Sequence, residues 1–205
     1  VKFRMQQIYP VVKLLEPLDL YVSFAQYFVA LTENGFDICA PEMLPKEERR
    51  VDIEDARHPL LLWKAKKGDE IVPNDINYTD ERNVFVISGP NDAGKTTYAK
   101  SVGLLQILAQ KLGIVPAKSA KVSFVDHIFT HFMMPEDIGK GEGRHRSELR
   151  RLKKTVLEKA TPYSLVILNE PCGGTRPEVS VRDTLNLLEG FHFLGCATYL
   201  ITHLL

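Results

Sequence analysis

The spacing of apolar residues along the chain predicts several amphipathic helices. The first covers residues 14–33, where Asn34-Gly35 predicts the end, because these residues accept the left-handed backbone that closes helices. Pro17 and Asp19 suit its first turn. A second helix follows residue 94 and ends before Gly113. The predicted buried faces are Leu14, Leu18, Val22, Ala25 and Phe28 in the first helix, and Tyr98, Val102, Leu105, Ala109 and Leu112 in the second.

Two further helices are predicted over residues 147–160 and 176–191. In the first of them the apolar positions are Leu149, Leu152, Val156 and Ala160. The second opens on Thr175-Arg176-Pro177-Glu178, the spacing of a capping box with proline in the first turn. Both segments therefore carry helical signals.

Three short apolar runs have the continuous character of buried parallel strands: Val84–Ile87, Ser164–Leu168 and Ala197–Ile201. Because helical segments separate them, they predict an α/β fold with a mostly parallel sheet and helices on both faces. Residues 38–50 contain two prolines and a charge run, and we interpret them as a linker. The expected organisation is a short helical segment over residues 1–40 and a main domain over residues 41–205.

Composition narrows the classes of protein. A chain of 205 residues suits one globular domain with a small extra element. The 26 basic and 26 acidic residues exclude a generally polycationic nucleic-acid coat. The three cysteines form no CxxC pair, which favours a reduced, cytoplasmic setting, and no run is long and apolar enough to span a membrane. A start at Val1 instead of Met favours a fragment.

The strongest chemical signal is a glycine-rich loop between a predicted strand and a predicted helix. It matches the GxxxxGK[ST] phosphate loop in full and consists of Gly89, Pro90, Asn91, Asp92, Ala93, Gly94, Lys95 and Thr96. Glycines let backbone N–H groups turn toward phosphate oxygens at the positive end of a helix. Lys95 is expected to reach the β- and γ-phosphates, and the Thr96 hydroxyl to ligate Mg²⁺. The alternative is a tight turn with an exposed lysine.

Polar residues at the ends of two later strands suit hydrolysis of a bound nucleotide. Glu170 follows the strand at 164–168 and is the candidate general base, since phosphate-loop enzymes carry acids there. Asn169 precedes it and offers a neutral carbonyl to a Mg²⁺-bound water. His203 follows the strand at 197–201 and is a candidate sensor of the γ-phosphate. A solvated glutamate and a structural histidine are the alternatives.

The segment from Lys140 to Glu148 leads into a helix that carries several basic residues, Arg150, Arg151, Lys153 and Lys154. Three interpretations remain open. The helix face is solvated, or its N-terminus faces a phosphate, or the basic side chains contact nucleic acid.

Several runs together resemble the ATPase domain of the MutS mismatch-repair family. They are residues 55–60 (DARHPL), 72–77 (VPNDIN), 89–97 (GPNDAGKTT, ending at Thr97), 114–120 (IVPAKSA), 125–130 (VDHIFT) and 164–170 (SLVILNE). The likeness extends from about residue 14 to residue 203. The first helix resembles the end of the lever region that joins this family's ATPase head to its DNA clamp.

The resemblance implies an ABC-type P-loop head that binds ATP and Mg²⁺ and forms a homodimer in the full-length protein, with DNA bound mainly by regions outside this chain. It also implies that Glu170 is the hydrolytic base and His203 the switch histidine. Gly173-Gly174-Thr175 would pass signals across the dimer, and Ile71 would lie against the adenine.

The chain departs from the family pattern at three points, which suggests a divergent member. Asn169 stands where an aspartate is usual. Arg144-His145 occupies the place of a Ser-Thr pair in the signature segment that completes the opposite subunit's site. No Phe-X-Glu mismatch-reading motif occurs. Two alternatives to an active repair ATPase follow: a nucleotide switch that hydrolyses weakly, and an ABC-type ATPase directed to RNA or the ribosome.

Overall fold

The computed structural model describes residues 2–66, 68–132, 141–172 and 176–203, excluding the side chains of residues 2–12, 14–17 and 141–146. Its first element is the long helix α1 (Lys2–Glu33). The predicted end is confirmed, since Gly35 has a φ of 83° and the N–H of Phe36 donates to Leu31 O. The predicted start at residue 14 is wrong, because the helical backbone continues through Pro10 and Pro17.

The buried face of α1 also differs from the predicted one. Tyr27, Phe28 and Leu31 are buried, whereas Leu18 and Val22 are each more than half exposed. Among the α1 side chains that the structure describes, those of the last turns contact the core, and the Tyr27 hydroxyl donates to Pro59 O at 2.8 Å. Leu18 and Val22 of the predicted apolar stripe therefore lie at the surface.

The described strands form two four-stranded sheets. In chain order the strands are β1 (Glu42–Leu44), β2 (Val51–Ala56), β3 (Asn74–Tyr78), β4 (Val84–Ile87), β5 (Ser119–Ser123), β6 (Ile128–His131), β7 (Leu165–Asn169) and β8 (Ala197–Ile201). The first sheet has the order β1-β5-β2-β3 and is mostly antiparallel. The second has the order β4-β8-β7-β6, and all its pairs are parallel.

The prediction of a parallel sheet is thus confirmed for the second sheet and wrong for the first. The linker predicted over residues 38–50 is wrong as well, because β1 pairs with β5 and Cys39 forms a bridge with Val115. A single turn of 3₁₀-helix, Lys46–Glu48, follows β1. The segment is an edge of the first sheet.

Helices cover both faces of the parallel sheet. Leu165 and Ile167 of β7 belong to the core that α3 (Lys95–Leu112) shares with the first sheet. Val166 and Leu168, which point the opposite way because side chains alternate along a strand, pack with α4 (Gly141–Leu152) and α5 (Pro177–Leu194). The short helix α2 (Pro59–Lys64) lies between β2 and β3 in the chain. The α/β class is therefore confirmed.

The predicted helix over residues 147–160 begins earlier and changes form. α4 starts at residue 141 and continues as one π-helical segment, Lys153–Leu157. Leu152 and Val156 are buried, as predicted. Glu148 anchors α4 to β6, since its Oε1 lies 2.7 Å from His131 Nε2 and both side chains are almost fully buried.

The start of α5 differs from the predicted capping box. Its N-cap is Arg176, which makes no side-chain cap bond, and Pro177 occupies the first turn. Thr175 lies outside the described residues. Gly195, with a φ of 76°, closes the helix, which runs three residues past the predicted end at residue 191.

A carboxylate joins the entries of β6 and β7. Asp126 accepts hydrogen bonds from the Thr161 hydroxyl at 2.5 Å and the Ser164 hydroxyl at 2.9 Å, and His127 Nδ1 lies 3.3 Å away. Burial alone raises the pKa of Asp126, but these bonds outweigh it and hold the pKa below its ordinary value. The network fixes the loops that precede both strands.

Among the described helices, none is long and apolar enough to cross a membrane.

Candidate functional site

The 89–96 loop begins directly after β4, at the carboxyl edge of the parallel sheet. Gly89 has a φ of 146° and Gly94 a φ of 83°, values that side chains disfavour. Asp92 has a φ of 61°, a left-handed conformation that costs a non-glycine residue about 1–3 kcal/mol. The loop therefore holds a strained turn against the first turn of α3. Its residues Gly89 to Ala93 are exposed, and the N–H of Ala93 donates to Pro90 O at 3.4 Å.

Lys95 closes over this loop from the first turn of α3. Its Nζ donates to Gly89 O at 2.8 Å and to Pro90 O at 2.6 Å. A positive charge is thereby held at the mouth of the turn, where an anion bound by the backbone would neutralise it. The ammonium group has three donors, so a third remains for an anionic oxygen.

Thr96 connects the loop to the second predicted part of the site. Its hydroxyl donates to Asn169 Oδ1 at 3.2 Å. Asn169 is the last residue of β7 and pairs in register with Ile201 of β8. The structure thus brings together the two residues predicted to serve a metal ion, although they lie far apart in the chain.

Glu170 and His203 are also neighbours. Glu170 Oε1 lies 2.8 Å from His203 Nε2, and both side chains are partly exposed. The backbone places them together, because the N–H of Glu170 donates to Ile201 O and that of Thr202 donates to Ile87 O. Glu170 has a φ of 51°, so a second non-glycine residue of the site adopts the left-handed conformation.

A cleft of about 660 Å³ opens beside the loop. Pockets for small molecules commonly have 300–1,000 Å³. One wall consists of loop and α3 residues that include Gly89, Pro90, Asp92, Ala93, Gly94, Lys95 and Thr97. The lining also contains Ile71 and Val72, which form a second wall, and Ile71 O accepts a hydrogen bond from Arg57 Nε at 3.2 Å. Ile71 therefore lines the same cleft as the loop.

His58 is a wall residue that the sequence reading missed. Its Nδ1 accepts hydrogen bonds from the N–H groups of Leu60 and Leu61 and so caps α2. Burial lowers the pKa of His58, with a further lowering from the nearby charge of Lys100, so the ring is neutral at pH 7. The Asp-Ala-Arg-His-Pro run contained this signal, because an N-cap before proline predicts a short helix.

Tyr98 and Asp75 hold the two walls at a fixed separation. The Tyr98 hydroxyl on α3 donates to Asp75 O on β3 at 3.1 Å. The Asp75 carboxylate in turn accepts the N–H of Asp55, a residue of the β2 bulge with a φ of 52°. Neither aspartate was predicted as a site residue.

Two predicted features lie outside the described residues: the Gly173-Gly174-Thr175 loop and the side chains of Arg144-His145. Asn91 is exposed on the loop and does not line the cleft. Within the described part of the chain, no group of three or more His, Cys, Asp or Glu side chains has the arrangement of a metal site. The Thr96–Asn169 pair therefore offers neutral oxygen ligands alone.

Comparison with known proteins identifies the type of domain. Residues 85–204 match the family model "MutS domain V". The chain is 34% identical over 191 residues to the DNA mismatch repair protein MutS of Chlorobium chlorochromatii, which covers 93% of this chain and 21% of that protein. It is 36% identical over 169 residues to the human DNA mismatch repair protein Msh3, covering 82% of this chain and 15% of the relative.

A third relative gives the same picture over more of the chain. The DNA mismatch repair protein MutS of Fervidobacterium nodosum is 32% identical over 199 residues, or 97% of this chain and 23% of that protein. The chain thus spans between 15% and 23% of the length of these relatives.

Proposed function

This chain belongs to the MutS family, and we propose that it is the ATP-binding and ATP-hydrolysing head of a longer DNA-repair protein. In this proposal residues 41–205 belong to a P-loop domain of the ABC type, and residues 1–40 are the end of the lever that connects it to the rest of the protein. The chain would be a divergent member, since Asn169 replaces the usual aspartate.

The observation that carries the proposal is the convergence of five polar side chains at one edge of the parallel sheet. Lys95 and Thr96 follow β4, Asn169 ends β7 and Glu170 follows it, and His203 follows β8. In open α/β sheets, ligands bind outside the carboxyl ends of the strands. A nucleotide in the adjoining cleft would have its phosphates on the 89–96 loop and its base toward Ile71.

The donors present suit ATP with Mg²⁺. Mg²⁺ prefers oxygen ligands, keeps several waters and is commonly held by one or two protein groups together with substrate phosphates. The Thr96 hydroxyl and the Asn169 amide oxygen, in contact at 3.2 Å, provide such a pair. The ion would neutralise charge on the β- and γ-phosphates. Asn169 brings no negative charge of its own.

Glu170 would act as the general base. Its carboxylate accepts a proton from water as that water attacks the γ-phosphorus in line with the departing β-phosphate oxygen. His203 positions the carboxylate, because its Nε2 is 2.8 Å from Glu170 Oε1. Lys95 exchanges its carbonyl partners for phosphate oxygens and offsets the charge that develops on them.

The longer protein would form a homodimer through contacts between its two ATPase heads, and ATP binding would control its affinity for DNA. Domains outside this chain would bind most of the DNA, whether a mismatch or a branched structure. The segment around Arg144-His145 would face the partner's γ-phosphate. Its positive charge suits that position.

ATP hydrolysis by a Glu170→Gln variant of the full-length protein tests the catalytic assignment. The variant should bind ATP as tightly as the wild type and hydrolyse it about 100-fold or more slowly, since general-base catalysis contributes 10²–10⁴-fold. Glu189→Gln, the same change at an exposed position of α5, is the matched control and should hydrolyse normally. Wild-type turnover in Glu170→Gln would refute the assignment.

Asn169 favours a second candidate function, a nucleotide switch that binds ATP and hydrolyses it slowly. A carboxylate at this position would hold Mg²⁺ more strongly than a neutral amide does. Asn169→Asp should therefore raise turnover, whereas Asn186→Asp, at an exposed position of α5, should not. Brisk hydrolysis by the wild type would refute the switch.

A further inference from the structure

The solvent face of α4 and the π-helical segment is basic. Leu152 and Val156 on the inner face are 1% and 4% exposed. Between and around them, four exposed basic residues lie within five positions of the chain, and we call them the basic face: Arg150, Arg151, Lys153 and Lys154. Over the described residues 147–159, Glu158 is the one exposed acidic residue. A chain of zero net charge thus concentrates positive charge on one surface.

Three of the four charges of the basic face are not neutralised within the described part of the chain, Arg151 being the exception. Arg150, Lys153 and Lys154 make no ion pair or hydrogen bond there. Many other basic side chains have acidic partners, among them Arg49 with Asp80, Lys118 with Glu54, and Lys121 with Glu42. What distinguishes the basic face is the clustering of its unpaired charges within five positions of the chain, which makes it a suitable site for an external anionic partner.

A membrane surface does not fit this arrangement. Amphipathic helices that bind bilayers insert an apolar face beside their basic one. Here the apolar face already packs in the protein core around Leu152, Val166 and Phe191. Single-stranded nucleic acid does not fit either, since it is commonly held by stacking on aromatic side chains. The exposed residues of this surface between 147 and 159 include no aromatic one.

We propose that the basic face binds the phosphate backbone of duplex DNA. A duplex carries one negative charge per about 1.7 Å of its axis, so a cluster of cations can contact several phosphates at once. Arg150 and Lys154 are separated by about 6 Å along the helix, close enough to contact neighbouring phosphates. The contact is independent of base sequence, because in this proposal the side chains contact phosphates and do not contact base edges. The choice of DNA over duplex RNA rests on the proposed function.

The size of the effect follows from counterion release. Three phosphate contacts predict a slope of about −2.7 in log affinity against log salt concentration. Between 50 and 200 mM salt, the affinity should therefore fall about 40-fold.

Fluorescence anisotropy of a labelled DNA duplex of about three helical turns measures this binding by the 205-residue chain. The test variant combines Arg150→Gln, Lys153→Gln and Lys154→Gln. The matched control combines Lys64→Gln, Lys66→Gln and Lys111→Gln. These substitutions remove the same charge from three exposed lysines elsewhere in the chain. Thermal unfolding and binding of a fluorescent ATP analogue are measured in parallel for all three proteins.

The proposal expects the test variant to bind DNA at least about tenfold more weakly at 50 mM salt and to lose most of the salt dependence. The control should keep both. Equal weakening in the two variants would refute the assignment, as would the absence of DNA binding by the wild type. Tighter binding of an RNA duplex of the same length would overturn the choice of DNA. If the wild type binds DNA as expected but does not bind the ATP analogue, the proposed function is contradicted, and the assignment of the basic face as a binding site for duplex nucleic acid stands.

Discussion

Gly103 of α3 lies close to Ile167 of the parallel sheet. A Cβ atom added there would lie 2.9 Å from Ile167 Cδ1 on β7. Carbon atoms prefer about 3.5–4.0 Å, so Gly103→Ala forces α3 or Ile167 to move. Gly190 of α5 is the matched control. A Cβ there would lie 3.3 Å from Leu157 Cδ2, which needs a displacement of only a few tenths of an ångström.

Two opposing effects determine the stability of Gly103→Ala. Alanine gains about 1 kcal/mol over glycine in a helix interior, and overpacking a core costs about 1–3 kcal/mol. The net effect is a loss of about 0–2 kcal/mol. Gly190→Ala keeps most of the helical gain and should be neutral or more stable. The two variants should therefore differ by about 1–3 kcal/mol in their free energies of unfolding.

Urea unfolding of both variants measures the difference, and Ile167→Val identifies its cause. Valine lacks the Cδ1 atom and by itself costs about 0.5–1.5 kcal/mol. The double variant Gly103→Ala with Ile167→Val should be more stable than the sum of its single changes predicts, because the clash disappears. If Gly103→Ala stabilises the chain as much as Gly190→Ala does, the packing argument is wrong.

Three shorter predictions concern other described groups. The pKa of Asp126 lies below its ordinary value of 3.8. The ionised carboxylate therefore stabilises the folded state above that pH, and this stabilisation is lost as the pH falls through the lowered pKa. Between about pH 5 and pH 3, the urea midpoint should fall more steeply for the wild type than for Asp126→Asn. Burial raises the pKa of all three thiols, that of Cys172 to about 12, and Cys39 alone of the three is partly exposed. A thiol reagent at alkaline pH should therefore modify Cys39 first in the folded chain and the other two only in urea; a fast phase that persists in Cys39→Ser would contradict this order. Lys95→Met should abolish binding of an ATP analogue, which calorimetry measures. It should lower the free energy of unfolding by no more than about 1–2 kcal/mol, since the two hydrogen bonds of Lys95 are exposed, and urea unfolding measures this change.

The parts of the fold that were predicted correctly are those whose signals are local. β8 lies where the continuous apolar run placed it, and α3 buries Val102, Leu105 and Ala109 on the predicted face. The first sheet was missed because its strands contain no continuous apolar run and depend on distant partners. β1 has three residues and is recognisable only from its pairing with β5.

The candidate site was predicted to a similar extent and for similar reasons. Glycine spacing and strand ends indicated Lys95, Asn169 and Glu170, and the structure brings these neighbourhoods together at one edge of the sheet. The second wall of the cleft was largely absent from the prediction. His58 belongs to that wall through the fold of α2, which contains only six residues and therefore has little periodicity.

The strand order has a consequence for synthesis of the protein. β4, the strand that leads into the 89–96 loop, finds its partner in β8, which the ribosome makes far later. All members of the first sheet are complete once residue 123 has been made. The newly made chain can therefore close its first sheet early, while the 89–96 loop waits for β8 to insert between β4 and β7. A nucleotide could then be bound firmly only by a chain whose translation has passed this strand.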